Sequence, residues 1–209
     1  GTTLDLSGVT KADAGLTVKG TSKADTVTGI SDAAPTNAAK YQLASGDDSF
    51  TASSKAAEEA INGGAGEDTL IADADLVDAA AGWTGAAAVS TISGISGFEI
   101  LALDNLDLSA GADVVNVAAI SADITTVHML DVTAEALTLN FAAGTSTVGI
   151  KGAISAGDTL TVTAAGTGTS DSLTIANAKT AGDIGTATSV IATTGFETVT
   201  LNTGSYATA

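Results

Sequence analysis

Residues 62–71 read Asn-Gly-Gly-Ala-Gly-Glu-Asp-Thr-Leu-Ile. Gly63, Gly64 and Gly66 let the backbone curl so that its carbonyl oxygens face one centre. Asp68 adds a hard, anionic oxygen. Together they are suited to a hard cation, and the spelling fits the calcium nonapeptide G-G-x-G-x-D-x-U-x at every defined position. Calcium takes about six to eight oxygen ligands, and one turn supplies only about half of them. A neighbouring turn must supply the rest.

Candidate neighbours lie upstream. Ser45-Gly46-Asp47-Asp48-Ser49-Phe50 matches the second half of the pattern, with Asp48 in the acidic position. Gly20-Thr21-Ser22-Lys23-Ala24-Asp25-Thr26-Val27 is a degenerate copy, with Lys23 where glycine is expected. Asp25, Asp48 and Asp68 are 23 and 20 positions apart, about one coil of a stacked repeat. Stacking would align the carboxylates along one edge, where they repel unless a cation sits between them. The competing reading is that each Asp caps its own turn through local backbone bonds. For Asp158 and Asp171, which lack the glycine run, turn capping is the expectation.

The elements that must position these turns read as strands. Leu137-Thr138-Leu139, Leu160-Thr161-Val162 and Val199-Thr200-Leu201 alternate apolar with Thr, the period of a β-strand. Similar runs recur from Leu16 to Asn202, separated by Gly, Asn, Ser and Asp. The unit Asp-[Ser/Thr]-apolar opens five of them, at Asp25, Asp48, Asp68, Asp158 and Asp171. Helix signals are short: Ser54 to Ile61, and Asp73 to Ala81. Ser96 to Leu103 resembles Thr194 to Leu201, each with a Gly-Phe-Glu strand start, and Phe98 and Phe196 lie 98 positions apart. Each copy follows an Asp-[Ser/Thr]-Leu strand. The expected fold is all-β, a parallel β-helix or β-roll-like solenoid with calcium-binding turns and short helical insertions. Residues 1–103 are expected to carry the calcium-binding coils, and residues 104–209 to continue the solenoid with degenerate motifs.

Composition narrows the function. Asp and Glu number 24 against seven basic residues, all Lys, for a net charge of −17. Such a chain repels nucleic acid and anionic membranes. It also repels itself, which a divalent cation would relieve; a well-solvated acidic surface is the plainer alternative. Cys is absent, so neither disulfides nor thiolate metal sites are available. No apolar run is long enough to span a membrane. The opening at Gly1, without Met or a signal pattern, reads as a fragment or processed product. His128 is the lone histidine, in a strand-like run with no nucleophile elbow nearby, and reads as structural. Aromatics are 3% of the chain, too few for the platforms of carbohydrate sites. Trp83, between Gly82 and Gly85, reads as an anchor to the core, with a lattice contact as the alternative. No enzyme is expected.

Over Val18 to Leu103 these motifs resemble the repeats-in-toxin (RTX) type of Gram-negative surface-layer protein. The resemblance rests on the three adjacent repeat variants and the Gly-Phe-Glu strand at Gly97 to Leu103. Beyond Asp104 it is mainly compositional. It implies a secreted, calcium-dependent structural protein that self-assembles into a two-dimensional lattice on the cell surface. Lattice neighbours would be copies of the same chain, with lipopolysaccharide met through other parts of the protein. By transfer, Gly64, Gly66 and Asp68 with Gly46 and Asp48 of the preceding coil would be calcium ligands. Asp25 would serve a third, degenerate site. The alternative is a calcium-stabilised binding module of a secreted RTX adhesin or exoenzyme.

Overall fold

The structure is a computed structural model. It describes residues 1–9, 16–30, 39–52, 58–73, 77, 95–104, 113–131, 133, 136–166, 168–179, 182–185 and 188–203. The expected Trp83 anchor and most of the helix expected over 73–81 lie outside these residues.

Odd-numbered strands stack into one long sheet. In chain order they are β1 (Thr3–Asp5), β3 (Thr26–Thr28), β5 (Ser49–Thr51), β7 (Thr69–Asp73), β9 (Ile100–Asp104), β11 (Thr126–Met129), β13 (Thr145–Ile150), β15 (Ser172–Asn177) and β17 (Thr198–Asn202). Even-numbered strands form two further sheets. One holds β2 (Thr17–Lys19), β4 (Ala39–Gln42), β6 (Glu58–Asn62) and β8 (Ile95–Ser96). The other holds β10 (Asp113–Asn116), β12 (Leu137–Phe141), β14 (Thr159–Ala164) and β16 (Val190–Thr194). Within each sheet every strand pairs in parallel with the one two places on, so the chain winds in two-strand coils, with the even-strand side interrupted between β8 and β10. This mostly-β arrangement is compatible with a parallel β-solenoid. Among the described elements the one helix is a single turn, α1 (Val117–Ile120).

Register explains the alternation in the sequence. Leu4, Val27, Phe50, Leu70, Leu101, Val127, Val148, Ile175 and Leu201 share one column. From Val27 to Ile175 that column is buried. The preceding residues form a neighbouring column that is mostly Thr, from Thr3 to Thr200. Thr suits this position because its branched Cβ favours the strand and its hydroxyl can remain exposed. On the opposite side, Asn140 Nδ2 donates to Asn116 Oδ1 at 2.6 Å, and Thr163 Oγ1 donates to Asn140 Oδ1.

The interior is thin, and its aromatics are placed accordingly. Tyr41, Phe50, Phe98 and Phe141 are fully enclosed. Tyr41 and Phe50 meet edge-on at 4.6 Å between centroids, and the Tyr41 hydroxyl accepts the Ile30 N–H at 3.1 Å. The two Gly-Phe-Glu copies diverge here: Phe98 is buried, whereas Phe196 is only partly so. Phe98→Ala is therefore expected to cost ~3–5 kcal/mol in equilibrium denaturation, and Phe196→Ala well under half of that.

One sequence expectation is corrected. Glu58 to Ile61, read as the end of a helix, is strand β6. Ala and Glu favour helix locally, but Ile61 is fully buried in parallel register with Tyr41. That long-range contact outweighs a propensity of a few tenths of a kcal/mol per residue. Among the described residues, no helix is long and apolar enough to cross a membrane.

Candidate metal centre

In the first half of the chain the turns that join even strands to odd strands stack on one edge, at Gly20 to Asp25, Leu43 to Asp48, Gly63 to Asp68 and Gly97 to Glu99. Main-chain bonds run from coil to coil along this edge: Leu43 N–H to Asn62 O at 2.9 Å, Gly46 N–H to Ala65 O at 2.9 Å, and Ala65 N–H to Ala44 O at 3.1 Å. Gly46, Gly64 and Gly66 have φ of 118°, 111° and 146°. A Cβ on Gly64 would lie 2.2 Å from Ala44 O, and one on Gly66 would lie 2.1 Å from Gly46 O. These glycines are therefore required by both torsion and spacing.

Asp25, Asp48 and Asp68 occupy equivalent places immediately before β3, β5 and β7, and all three are buried. They form a ladder in which the Asp48 and Asp68 carboxylates each accept the backbone N–H of the acid one coil earlier. Asp25 N–H donates to Asp48 Oδ1 at 2.6 Å, and Asp48 N–H to Asp68 Oδ1 at 2.7 Å. Asp68 N–H donates to Glu99 Oε2 at 2.9 Å, so the Gly-Phe-Glu strand supplies the next rung. At the exposed lip, Glu67 N–H donates to Asp47 Oδ1 at 3.0 Å.

The second oxygen of each Asp separates the rungs. Both Asp25 oxygens accept N–H groups, Oδ1 from Thr2 and Oδ2 from Thr21. Asp48 Oδ2 and Asp68 Oδ2 are buried and have no partner. Electrostatics follow the same division. The Thr21 N–H holds the Asp25 carboxyl below its ordinary value. Burial pushes Asp48 up, with Asp25 and Asp47 adding repulsion. Burial pushes Asp68 to about 6, with Asp48, Glu99 and Asp47 adding to it.

Two adjacent rungs are thus short of positive charge, and their donors are all oxygen. Such a set fits a hard divalent cation. Asp48 and Asp68 would hold it, with carbonyls of the Gly46 and Gly64–Gly66 loops as the remaining candidates. Among the described residues, no three His, Cys, Asp or Glu side chains converge into a ready cage, so the backbone would have to contribute. Asp25 stands on the same ladder with its oxygens already satisfied. Glu99 was not assigned a site role from sequence, although an acid directly before a strand was the available signal.

Fold and site together define a class: a parallel-coiled β protein with a buried ladder of acids along one turn edge. No protein-family model, curated protein or solved structure matches the chain.

Proposed function

We propose that this chain is a structural segment of a calcium-dependent, self-assembling bacterial surface layer, secreted and without catalytic activity. The observation that carries the reading is the pair of orphaned, buried oxygens on Asp48 and Asp68. An unpartnered buried carboxylate oxygen is costly, and a divalent ion between the coils removes that cost. Calcium would neutralise the rungs and hold coil to coil. The net charge of −17 adds a reason for cations to bridge acidic neighbours in a lattice. Because calcium is scarce inside cells, the coils would gain this stabilisation only after export.

Calorimetric titration with calcium is expected to show saturable binding that Asp68→Ala removes. At about 100 times the dissociation constant, bound calcium adds ~2.7 kcal/mol. For a domain of this size that raises the melting temperature by roughly 5–11 °C. Circular dichroism and melting unchanged by excess EGTA would sink the calcium reading. Electron microscopy at millimolar calcium tests the lattice: sheets are expected, and monomers alone would favour a soluble module of an adhesin or exoenzyme.

A further inference from the structure

A third orphaned oxygen lies in the other half of the molecule. Asp171, directly before β15, is 4% exposed, and its Oδ2 is buried without a partner. Its Oδ1 accepts the Gly144 N–H at 2.6 Å. Its own N–H donates to Glu197 Oε2 at 2.6 Å, as Asp68 N–H does to Glu99. The second Gly-Phe-Glu copy therefore repeats the structural role of the first: its Glu receives the backbone of the acid one coil earlier.

The turn leading to Asp171 is built closely around that free oxygen. Gly166 has φ of 101°, and a Cβ on Gly168 would lie 2.2 Å from Asp171 Oδ2. From sequence, Asp171 was expected only to cap its turn. A capping carboxylate is satisfied by backbone N–H groups, as Asp25 is. Asp171 has one oxygen satisfied and one left over, and its backbone N–H is held by a second carboxylate, that of Glu197. Glu197, the outer member of the pair, is exposed.

We infer that the Gly168–Asp171 turn, together with Glu197 of the next coil, is a second site for a hard, oxygen-ligated divalent cation of the calcium class. It shares its chemistry with the Asp48–Asp68 site but none of its residues, and it lacks the glycine spelling that marked the first. Two cations would then clamp the stack, one in each half.

The test uses the full chain and calcium chloride alone, followed by amide NMR and calorimetry. The Gly144, Gly168 and Asp171 amides are expected to shift saturably by about 10 mM calcium, beyond the ~10⁻⁴–10⁻³ M range of weak extracellular modules. They should shift equally in the Asp48→Asn/Asp68→Asn chain, which tests the first site separately. Asp171→Asn, which keeps shape and an acceptor, should abolish those shifts and lower the stoichiometry by one ion. Amides that stay still in the wild type, a measurement that needs no variant, would overturn the second site. So would shifts that persist unchanged in Asp171→Asn. If the first site fails while these amides still move, the second site stands and the Asp48–Asp68 reading falls.

Discussion

In excess chelator at pH 7.5, Asp68→Asn is expected to melt above the wild type, and in saturating calcium the order should reverse. The Asp68 carboxyl titrates at about 6 in the fold against 3.8 when exposed, chiefly because it is buried. The folded state therefore binds a proton more tightly than the unfolded chain. Without metal, ionised Asp68 burdens the fold by up to ~3 kcal/mol above pH 6. The burden is relieved as pH falls from 6 towards 4 and is gone below that. Asn removes the charge and keeps an acceptor for the Asp48 N–H. Its buried amide costs ~1–2 kcal/mol if it finds no partner, leaving a net gain of ~1–2 kcal/mol. In calcium the wild type gains binding energy that the variant cannot.

Measuring the wild type alone would mislead, because His128 acts in the opposite sense. Burial, with Lys151 adding to it, lowers its imidazole to about 4. The unfolded chain then binds the extra proton between pH 6.5 and 4, so His128 costs stability as pH falls through that window. Asp68 restores stability over much of the same range. His128 is common to both chains, so the wild-type-minus-variant difference isolates Asp68. The variant's advantage is expected to vanish and turn into a deficit between pH 7 and pH 4; an advantage that persists to pH 4 would mean that the ladder acid is not strained and needs no cation.

Several parts of this structure were legible locally because they depend on neighbours in sequence. Thr-apolar alternation marked β12, β14 and β17, and Asp-[Ser/Thr]-apolar marked the starts of β3, β5, β7, β14 and β15. The acid column at Asp25, Asp48 and Asp68 followed from spacing alone. What stayed hidden depends on the stack. Glu58 to Ile61 looks helical until Tyr41 lies beside Ile61. Glu99 and Glu197 look like ordinary strand-start residues until register puts them beneath the backbones of Asp68 and Asp171. The free Asp171 oxygen is invisible in sequence because satisfaction of a carboxylate is a property of three dimensions. Lys23 marked Asp25 as degenerate, and in the fold Asp25 is the rung whose oxygens N–H groups satisfy.

A steep loss is expected at Gly64. Gly64→Ala should destabilise the chain by ~3–5 kcal/mol, whereas Gly157→Ala should cost only ~1–2 kcal/mol. Both glycines have positive φ, 111° and 89°, so both variants bear backbone strain of ~1–3 kcal/mol. They differ in what the new methyl meets. At Gly157 nothing lies within 4 Å, while at Gly64 the Ala44 carbonyl oxygen would be 2.2 Å away. Ala44 O also accepts the Ala65 N–H at 3.1 Å, so relieving the clash pulls apart a bond that joins adjacent coils. Forcing a group into packed structure costs a further ~1–3 kcal/mol. Against a typical total of ~5–15 kcal/mol, that loss leaves the metal-free variant near its limit. Chemical denaturation of the two variants in EGTA measures the difference directly. Calcium should rescue Gly157→Ala fully and Gly64→Ala only in part, because the Gly64 methyl spreads the two turns whose acids the ion must bridge. Equal losses in the two variants would mean that the coils at Ala44 and Gly64 are not in contact, and the acid ladder would lose the backbone that aligns it.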